Sequence, residues 1–132
     1  MSDITLNKQV VTKLIEGIDR ADFSILDRLC AASLRGHFNG KELNRAEIEA
    51  AARQFSQAFI GIKHHIKDVV AEGDRVVIRA LDEAMHVGAF RGLAATRRRV
   101  SFEMMAIYRI EDGKIVEVWE LMDTAHLLQQ IT

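Results

Sequence analysis

Apolar residues change their spacing once along this chain, near Gly61, and that change restricts the fold more than any other feature. Upstream, Val10, Val11, Leu14, Ile15 and Ile18 recur at helical spacing and predict an amphipathic helix over about residues 5–19. Asp22 or Ser24 can cap a short second helix carrying Ile25, Leu26 and Leu29, with Cys30 read as part of it. Asn44 followed by Glu47 has the spacing of a capping box and opens a third helix, whose apolar stripe runs Ile48, Ala52, Phe55, Phe59, Ile62. Downstream, residues 64–71 lead through Glu72-Gly73-Asp74 into RVVIRALDEAMHV, a long strand rich in β-branched side chains. Residues 98–110 and 115–122 then predict a hairpin around EDGK, where Gly113 can take a positive φ, and HLLQQI closes the chain with a short apolar segment. Helices first and an antiparallel sheet after them define an α+β class. A sheet of such long strands must curl, and the helices are expected to cover its concave side.

Nothing in the composition asks for more than one domain, residues 1–132. The chain is 48% hydrophobic and 28% charged, ordinary globular proportions that exclude a disordered chain. Its formal net charge of −1 gives no electrostatic reason to bind nucleic acid or an anionic membrane surface. The single cysteine, Cys30, excludes an internal disulfide framework and fits a reducing compartment. No stretch approaches the length of a membrane span, and the N-terminus lacks a basic segment followed by an apolar run, so a cytoplasmic protein is expected. The histidines and acids show no metal-ligand spacing, and there is no P-loop, Rossmann glycine pattern or G-x-S-x-G, so no metal or organic cofactor is expected.

The final hairpin carries the chemistry. With Ile110 opposite Ile115, Tyr108 faces Glu117, Ala106 faces Trp119, Met104 faces Leu121 and Phe102 faces Asp123. One face then holds Glu117, Trp119 and Asp123 among apolar residues. The other holds Met105, Ile107, Arg109, Val116, Val118, Glu120 and Met122. A slip of one residue would exchange the cross-strand partners. Both faces are substantially apolar; one can cover the core, and the other predicts a homodimer through the outer sheet face. In the earlier strand Asp82, Ala84 and His86 share a face, while His64 and His65 point to opposite sides, so at most one of those two can face a cavity.

Several stretches, in this order and spacing, resemble one family: NKQVVTKLIEGIDRADFSILDRLCA (7–31), AEGDRVVIRA (71–80), HVGAFRGLAATRRRV (86–100) and IEDGKIVEVWELMD with LLQQI behind it (110–131). They are similar to the SnoaL-like polyketide cyclases of the nuclear transport factor 2-like superfamily. The resemblance implies a cone-shaped α+β barrel, with N-terminal helices packed on a strongly curved sheet around a deep apolar pocket. It also implies ring closure by intramolecular aldol condensation without metal or organic cofactor, using an aspartate as acid/base and a histidine beside the enolate. The family's W-x-x-x-D pattern falls on Trp119 and Asp123, its H-x-G-x-F pattern on His86, Gly88 and Phe90, and a histidine common after the second helix on His37. Two departures stand out. Gly92 to Arg98 lack the prolines and second glycine of the family's G-L-P-P-T-G-R, and Ala84-Met85 replace a frequent Gly-Thr.

Each of these residues has two readings. Asp123 is either the acid/base, strengthened by poor solvation beside Trp119, or the N-cap of the last segment. His86 is an enolate donor or a strand histidine bonded to a neighbour. Trp119, Tyr108, His37, Phe59 and Asp82 are expected to line the substrate pocket, although His37 also reads as part of a surface loop. The expected activity is that of a cofactor-independent cyclase or isomerase on a small hydrophobic carbonyl compound. The alternative is a noncatalytic small-molecule binding protein with the same fold. Epoxide hydrolysis by an Asp-Arg-Asp set would draw on Asp82, Arg79 and Asp123, but Arg79 has the wrong strand parity relative to Asp82.

Overall fold

The structure, a computed structural model, describes residues 3–132. Helix α1 (Ile4–Asp19) begins where the Asp3 side chain accepts the Leu6 N–H. It ends in a Schellman motif: Asp22 N–H donates to Gly17 O and Ala21 N–H to Ile18 O, both at 2.9 Å, with Ala21 at φ 56°. Helix α2 (Ile25–Leu29) crosses α1 at Gly17, where a side-chain carbon would sit 2.8 Å from Ile25. Strands β1 (Cys30–Phe38) and β2 (Lys41–Asn44) follow, then helix α3 (Arg45–Ala58) and strands β3 (Phe59–Glu72), β4 (Arg75–His86), β5 (Arg99–Glu111) and β6 (Lys114–Met122). Helix α4 (Thr124–Gln130) closes the fold. The capping box at Asn44 and Glu47 forms with both of its reciprocal bonds. None of the described helices is long and apolar enough to cross a membrane.

The expected α+β arrangement is present, with helices packed on one curved sheet of six strands in the order β2-β1-β6-β5-β4-β3. Four of its junctions are antiparallel, and β1 lies parallel to β6. Residues 30–44 depart from the sequence reading. Cys30 opens β1 rather than extending α2, and His37 lies on a strand rather than in a loop. Asn39 and Gly40 join β1 to β2 with both φ angles positive, 48° and 84°, the signature of a two-residue hairpin turn. Phe59 and Ile62 likewise belong to β3, not to the α3 stripe, because the helix stops at Ala58.

A second departure decides the site. Ile110 does pair with Ile115 across the turn, but Arg109 pairs with Glu117, so Val116 is an extra residue bulged out of β6. Beyond the bulge every expected partner changes: Tyr108 opposes Val118, Ile107 opposes Trp119 and Ala106 opposes Glu120. The slip turns Val118, Glu120 and Met122 toward the helices with Tyr108, Ala106 and Met104. It turns Glu117, Trp119 and Leu121 outward with Arg109, Ile107 and Met105. Its reward is visible at both ends. Val118 is buried in the core, and Glu117 escapes burial to meet Arg109 at 3.3 Å.

Candidate functional site

Between the helices and the concave sheet lies a cavity of about 620 Å³. Leu14 and Leu26 from the helices, Phe55 from α3, and Phe102 and Met104 from β5 give it largely apolar walls. The polar side chains along that surface include one from each of four consecutive strands: His64 on β3, Asp82 on β4, Tyr108 on β5 and Glu120 on β6. Asp82 and Tyr108 arrive by strand alternation, since inward positions on β4 and β5 are buried in strict alternation with outward ones, whereas Glu120 is turned inward by the bulge at Val116.

His64 and Asp82 are direct cross-strand partners, with His64 Nε2 at 3.4 Å from Asp82 Oδ2. The other side of the imidazole is held by Asp19, the last residue of α1. Its Oδ1 lies 2.5 Å from His64 Nδ1, and its Oδ2 accepts the His64 backbone N–H at 3.1 Å. Asp82 is buried, and its Oδ1 has no hydrogen-bond partner. Burial pushes the Asp82 carboxyl up to about 6, helped by the charge of Asp19 and resisted by His64 and His65. Burial likewise pushes Glu120 up to about 7, opposed by His64 and reinforced by Asp82. Desolvation works against the charged form of His64, but the bond to Asp19 and the charges of Asp82, Asp19 and Glu120 outweigh it and raise its pKa. Tyr108 is driven well above its ordinary value, first by burial and then by Glu120 and Asp82. The cavity therefore holds two carboxyl groups that give up their protons near neutrality, beside a histidine that favours its charged form.

The family model of the SnoaL-like polyketide cyclases matches residues 8–131. The chain belongs to that family. This SnoaL-like chain is similar to AclR from Streptomyces galilaeus, described as a candidate hydroxylase, at 26% identity and a TM-score of 0.92, covering 98% of this chain and 97% of that one. It is similar to TsrD from Streptomyces laurentii at 26% identity and a TM-score of 0.88, covering 99% and 98%. IdmH from Streptomyces antibioticus, described as a candidate polyketide cyclase, shares the fold at 24% identity, a TM-score of 0.86 and coverage of 94% and 96%. No curated protein matches the chain.

Of the residues expected at the site of this SnoaL-like protein, Asp82 and Tyr108 line the cavity. Asp123 does not. It is exposed beyond the end of β6, and its Oδ1 accepts the His126 N–H at 3.0 Å, which makes it the N-cap of α4. Trp119 and His37 are corrected too, since the bulge and the β1–β6 pairing put both on the outer sheet face. There their rings stack at 5.4 Å and 8°, Glu117 Oε2 lies 2.8 Å from His37 Nε2, and the Arg75 guanidinium sits 5.1 Å above the indole.

His86 is fully buried but sits behind the cavity wall, stacked on Phe59 at 5.1 Å. Phe59 also lies outside the lining, so of the aromatic residues around His86 it is Phe55, Phe90 and Phe102 that face the cavity. The Thr96 backbone N–H reaches His86 Nδ1 at 3.2 Å, which assigns the ring proton to Nε2, and Nε2 has no partner. Gly88 of the H-x-G-x-F pattern is required by packing, since a side-chain carbon there would meet Gln57 O at 2.7 Å. The Asp-Arg-Asp set does not assemble, because Arg79 faces outward to Asp68 at 2.7 Å.

Three residues the sequence reading left outside the site belong to it: Glu120, His64 and Asp19. Glu120 followed from an unbulged register and so was assigned to the wrong face. For His64 the parity argument allowed one cavity-facing histidine of two, and the other, His65, meets Glu83 at 3.1 Å. Asp19 lies 45 residues from His64, and no local pattern announces the contact.

Proposed function

We propose that this protein catalyses acid–base chemistry on a small hydrophobic carbonyl compound, of the cyclase or isomerase type. Asp82 and Glu120 take the roles first expected of Asp123 and His86. The observation that carries the reading is the pair of carboxyl groups with raised pKa values, about 6 and about 7, facing one apolar cavity. At neutral pH Asp82 is the more ionised of the two and serves as base toward a C–H next to the carbonyl. Glu120 retains a large protonated fraction and can donate to the developing enolate oxygen. Aldol-type ring closure moves protons and an electron pair within one molecule and is redox neutral, so these side chains are of the type the step requires. Family membership supports the cyclase direction. The candidate hydroxylase among the similar structures keeps the reaction type wider than cyclisation alone.

Hydrogen–deuterium exchange at the carbon next to the carbonyl of 2-tetralone, a small apolar ketone, tests the enolisation step. Exchange above the buffer rate, lost in Asp82→Asn and Glu120→Gln, is expected. Saturable binding with no exchange would favour the noncatalytic ligand-binding reading. Exchange unchanged in both variants would remove the assigned roles.

We also propose that a second copy of the chain covers the outer sheet face. Met105, Ile107 and Leu121 are exposed there among charges of both signs, apolar surface that a second copy would take out of water. Sedimentation equilibrium should show a dimer, and Leu121→Glu should weaken it.

A further inference from the structure

We infer that Asp19, His64 and Asp82 form a proton relay leading from the cavity to the edge of the fold, with Asp19 as the positioning residue that fixes which nitrogen of His64 faces Asp82. The inference rests on the cavity role of Asp82 proposed above, and it is carried by how the three side chains are held.

Asp19 meets both polar groups that His64 presents on that side. One oxygen takes the backbone N–H and the other lies against ring Nδ1, so the imidazole can neither rotate nor flip without breaking contact with α1. A carboxylate only accepts, so Nδ1 carries a hydrogen. Nε2 is thereby left as the exchangeable position, and it is the atom that faces Asp82. The Schellman ending of α1 holds the Asp19 backbone at the point where α1 meets β3, and the β3–β4 register sets His64 opposite Asp82.

Asp82 completes the chain. A purely structural ion pair would be expected to satisfy both carboxylate oxygens, since a bare buried acceptor costs stability. Here Oδ2 faces His64, while Oδ1 is buried, unpartnered and part of a cavity-lining residue. Oδ1 is the oxygen without a donor, and it takes a proton from a ligand once a small shift of the cavity wall uncovers it.

The proton inventory closes without any further reactant. A ligand C–H gives its proton to Asp82 Oδ1 and its electron pair to the enolate. Rotation of the carboxyl group about its Cβ–Cγ bond then brings that O–H to the side facing His64, and the acid passes the proton to Nε2 of neutral His64, leaving a carboxylate and an imidazolium. Asp19 stabilises that imidazolium and, with 11% of its side chain exposed, offers a route to solvent. The reverse sequence returns a proton to the product. The 3.4 Å separation of Nε2 and Oδ2 is a resting distance, and closing it by about half an ångström gives a hydrogen bond. The charged groups facing the chain are Asp19 on α1, Asp82 on β4 and Glu120 on β6, while His65 acts on Asp82 from the other side of β3, where it meets Glu83. The acids among them favour the imidazolium, so the neutral His64 that accepts from Asp82 gains population as the pH rises.

The test is nitrogen-15 NMR of the histidines in the whole, ligand-free protein, combined with 2-tetralone exchange. Wild-type His64 should show the Nδ1–H form when neutral and should titrate above an ordinary histidine. A neutral Nε2–H form in the wild type would overturn the relay, and this measurement needs no variant. In Asp19→Asn the amide can donate to Nδ1, so the ring should switch to Nε2–H and its titration should move down. Exchange should fall about 100-fold or more, with the pH profile following the new His64 titration. An Asp19→Asn protein with unaltered His64 spectra, or with altered spectra and unaltered exchange, would overturn the relay while leaving Asp82 as base. If the wild type exchanges nothing, the reading of the cavity as catalytic fails instead, and the spectra alone decide whether Asp19 sets the state of His64. His64→Gln should lose the exchange as Asp19→Asn does.

Discussion

Glu117 and Glu120 lie three residues apart on β6 and have opposite chemistry. Glu117 faces outward, bonds His37 at 2.8 Å and Arg109 at 3.3 Å, and is held below the usual carboxylate range, first by the histidine bond. Glu120 faces the cavity, where burial raises it to about 7. Residue type, strand and distance from the turn are nearly the same. The difference comes from one bulged residue, Val116, which fixes which glutamate meets cations at the surface and which meets apolar walls. The lesson is that a carboxylate's usefulness for proton transfer here is set by the register of the sheet, not by its position in a motif.

The largest effects that would break this contrast are catalytic. Asp82→Asn and Glu120→Gln should each lower 2-tetralone exchange by about 100-fold or more, the usual scale of a lost general acid or base. Glu117→Gln and Asp123→Ala should leave it unchanged. An exchange rate that follows Glu117 or Asp123 instead would reverse the assignment of inside and outside.

Next in size is the pH dependence of stability. Asp82 rises from 3.8 to about 6 and Glu120 from 4.5 to about 7 in the folded protein, so the folded state holds these protons more tightly than the unfolded chain. Their favourable contribution is complete below about pH 4 and is lost as the pH climbs through 6 and 7. His64, also raised, acts in the same direction. Displacements of this size are worth about 3 kcal/mol apiece when fully expressed. Because the groups interact, a combined loss of a few kcal/mol between pH 5 and pH 8 is expected. Glu117, Asp22 and Glu49 are lowered and act oppositely, but they lie at the surface, where solvent screening weakens them. Denaturant titrations at several pH values should show the decline in the wild type and a flatter curve in Asp82→Asn/Glu120→Gln. A wild type that gains stability toward pH 8 would mean the cavity is better hydrated than its lining implies.

These outcomes bear on what the sequence could reveal. The helices, the capping box at Asn44 and the two long hairpin strands were legible because period and caps are local signals. The Asn39-Gly40 turn is equally local, yet it lies between a helix signal and a capping box in a stretch without clear alternation, and so nothing nearby marks the β1–β2 hairpin. The Val116 bulge was a different kind of omission. Trp119 and Leu121 on one parity, and Val118 and Met122 on the other, are comparably apolar, so alternation alone gave no reason to prefer either register. The choice is made by β1, which lies parallel to β6 and brings His37 over Trp119 on the outside. The Asp19–His64 contact depends on where α1 ends against β3, which is also a tertiary fact. The inward placement of Asp82 was legible, because regular alternation along β4 is enough to set it.

A smaller effect separates a structural aspartate from a chemical one. Asp123→Ala removes the side chain that caps α4, and a lost N-cap costs about 1 kcal/mol. Asp123→Asn should restore most of that stability, because asparagine accepts the same N–H bond. Both variants should fold and exchange 2-tetralone as the wild type does. Thermal unfolding and the exchange assay together would expose any catalytic share for Asp123, which would appear as an activity loss that asparagine fails to repair.

The smallest effect concerns the outer end of the comparison. The His37–Glu117 bond lies at the surface, its side chains 30% and 22% exposed, where such pairs are worth less than about 1 kcal/mol and weaken with salt. Glu117→Gln should therefore lower stability only slightly at low salt and by a vanishing amount at high salt. The same substitution at Glu120 should be insensitive to salt, because added ions do not reach a carboxyl enclosed by apolar walls. Glu120→Gln should also flatten the decline in stability toward high pH, whereas Glu117→Gln should not. Two glutamates three residues apart would then be distinguished by salt and pH response alone, before any substrate is known. If both responded alike to salt, Glu120 would have to be as open to solvent as Glu117, and the inward register set by Val116 could not be the one adopted in solution.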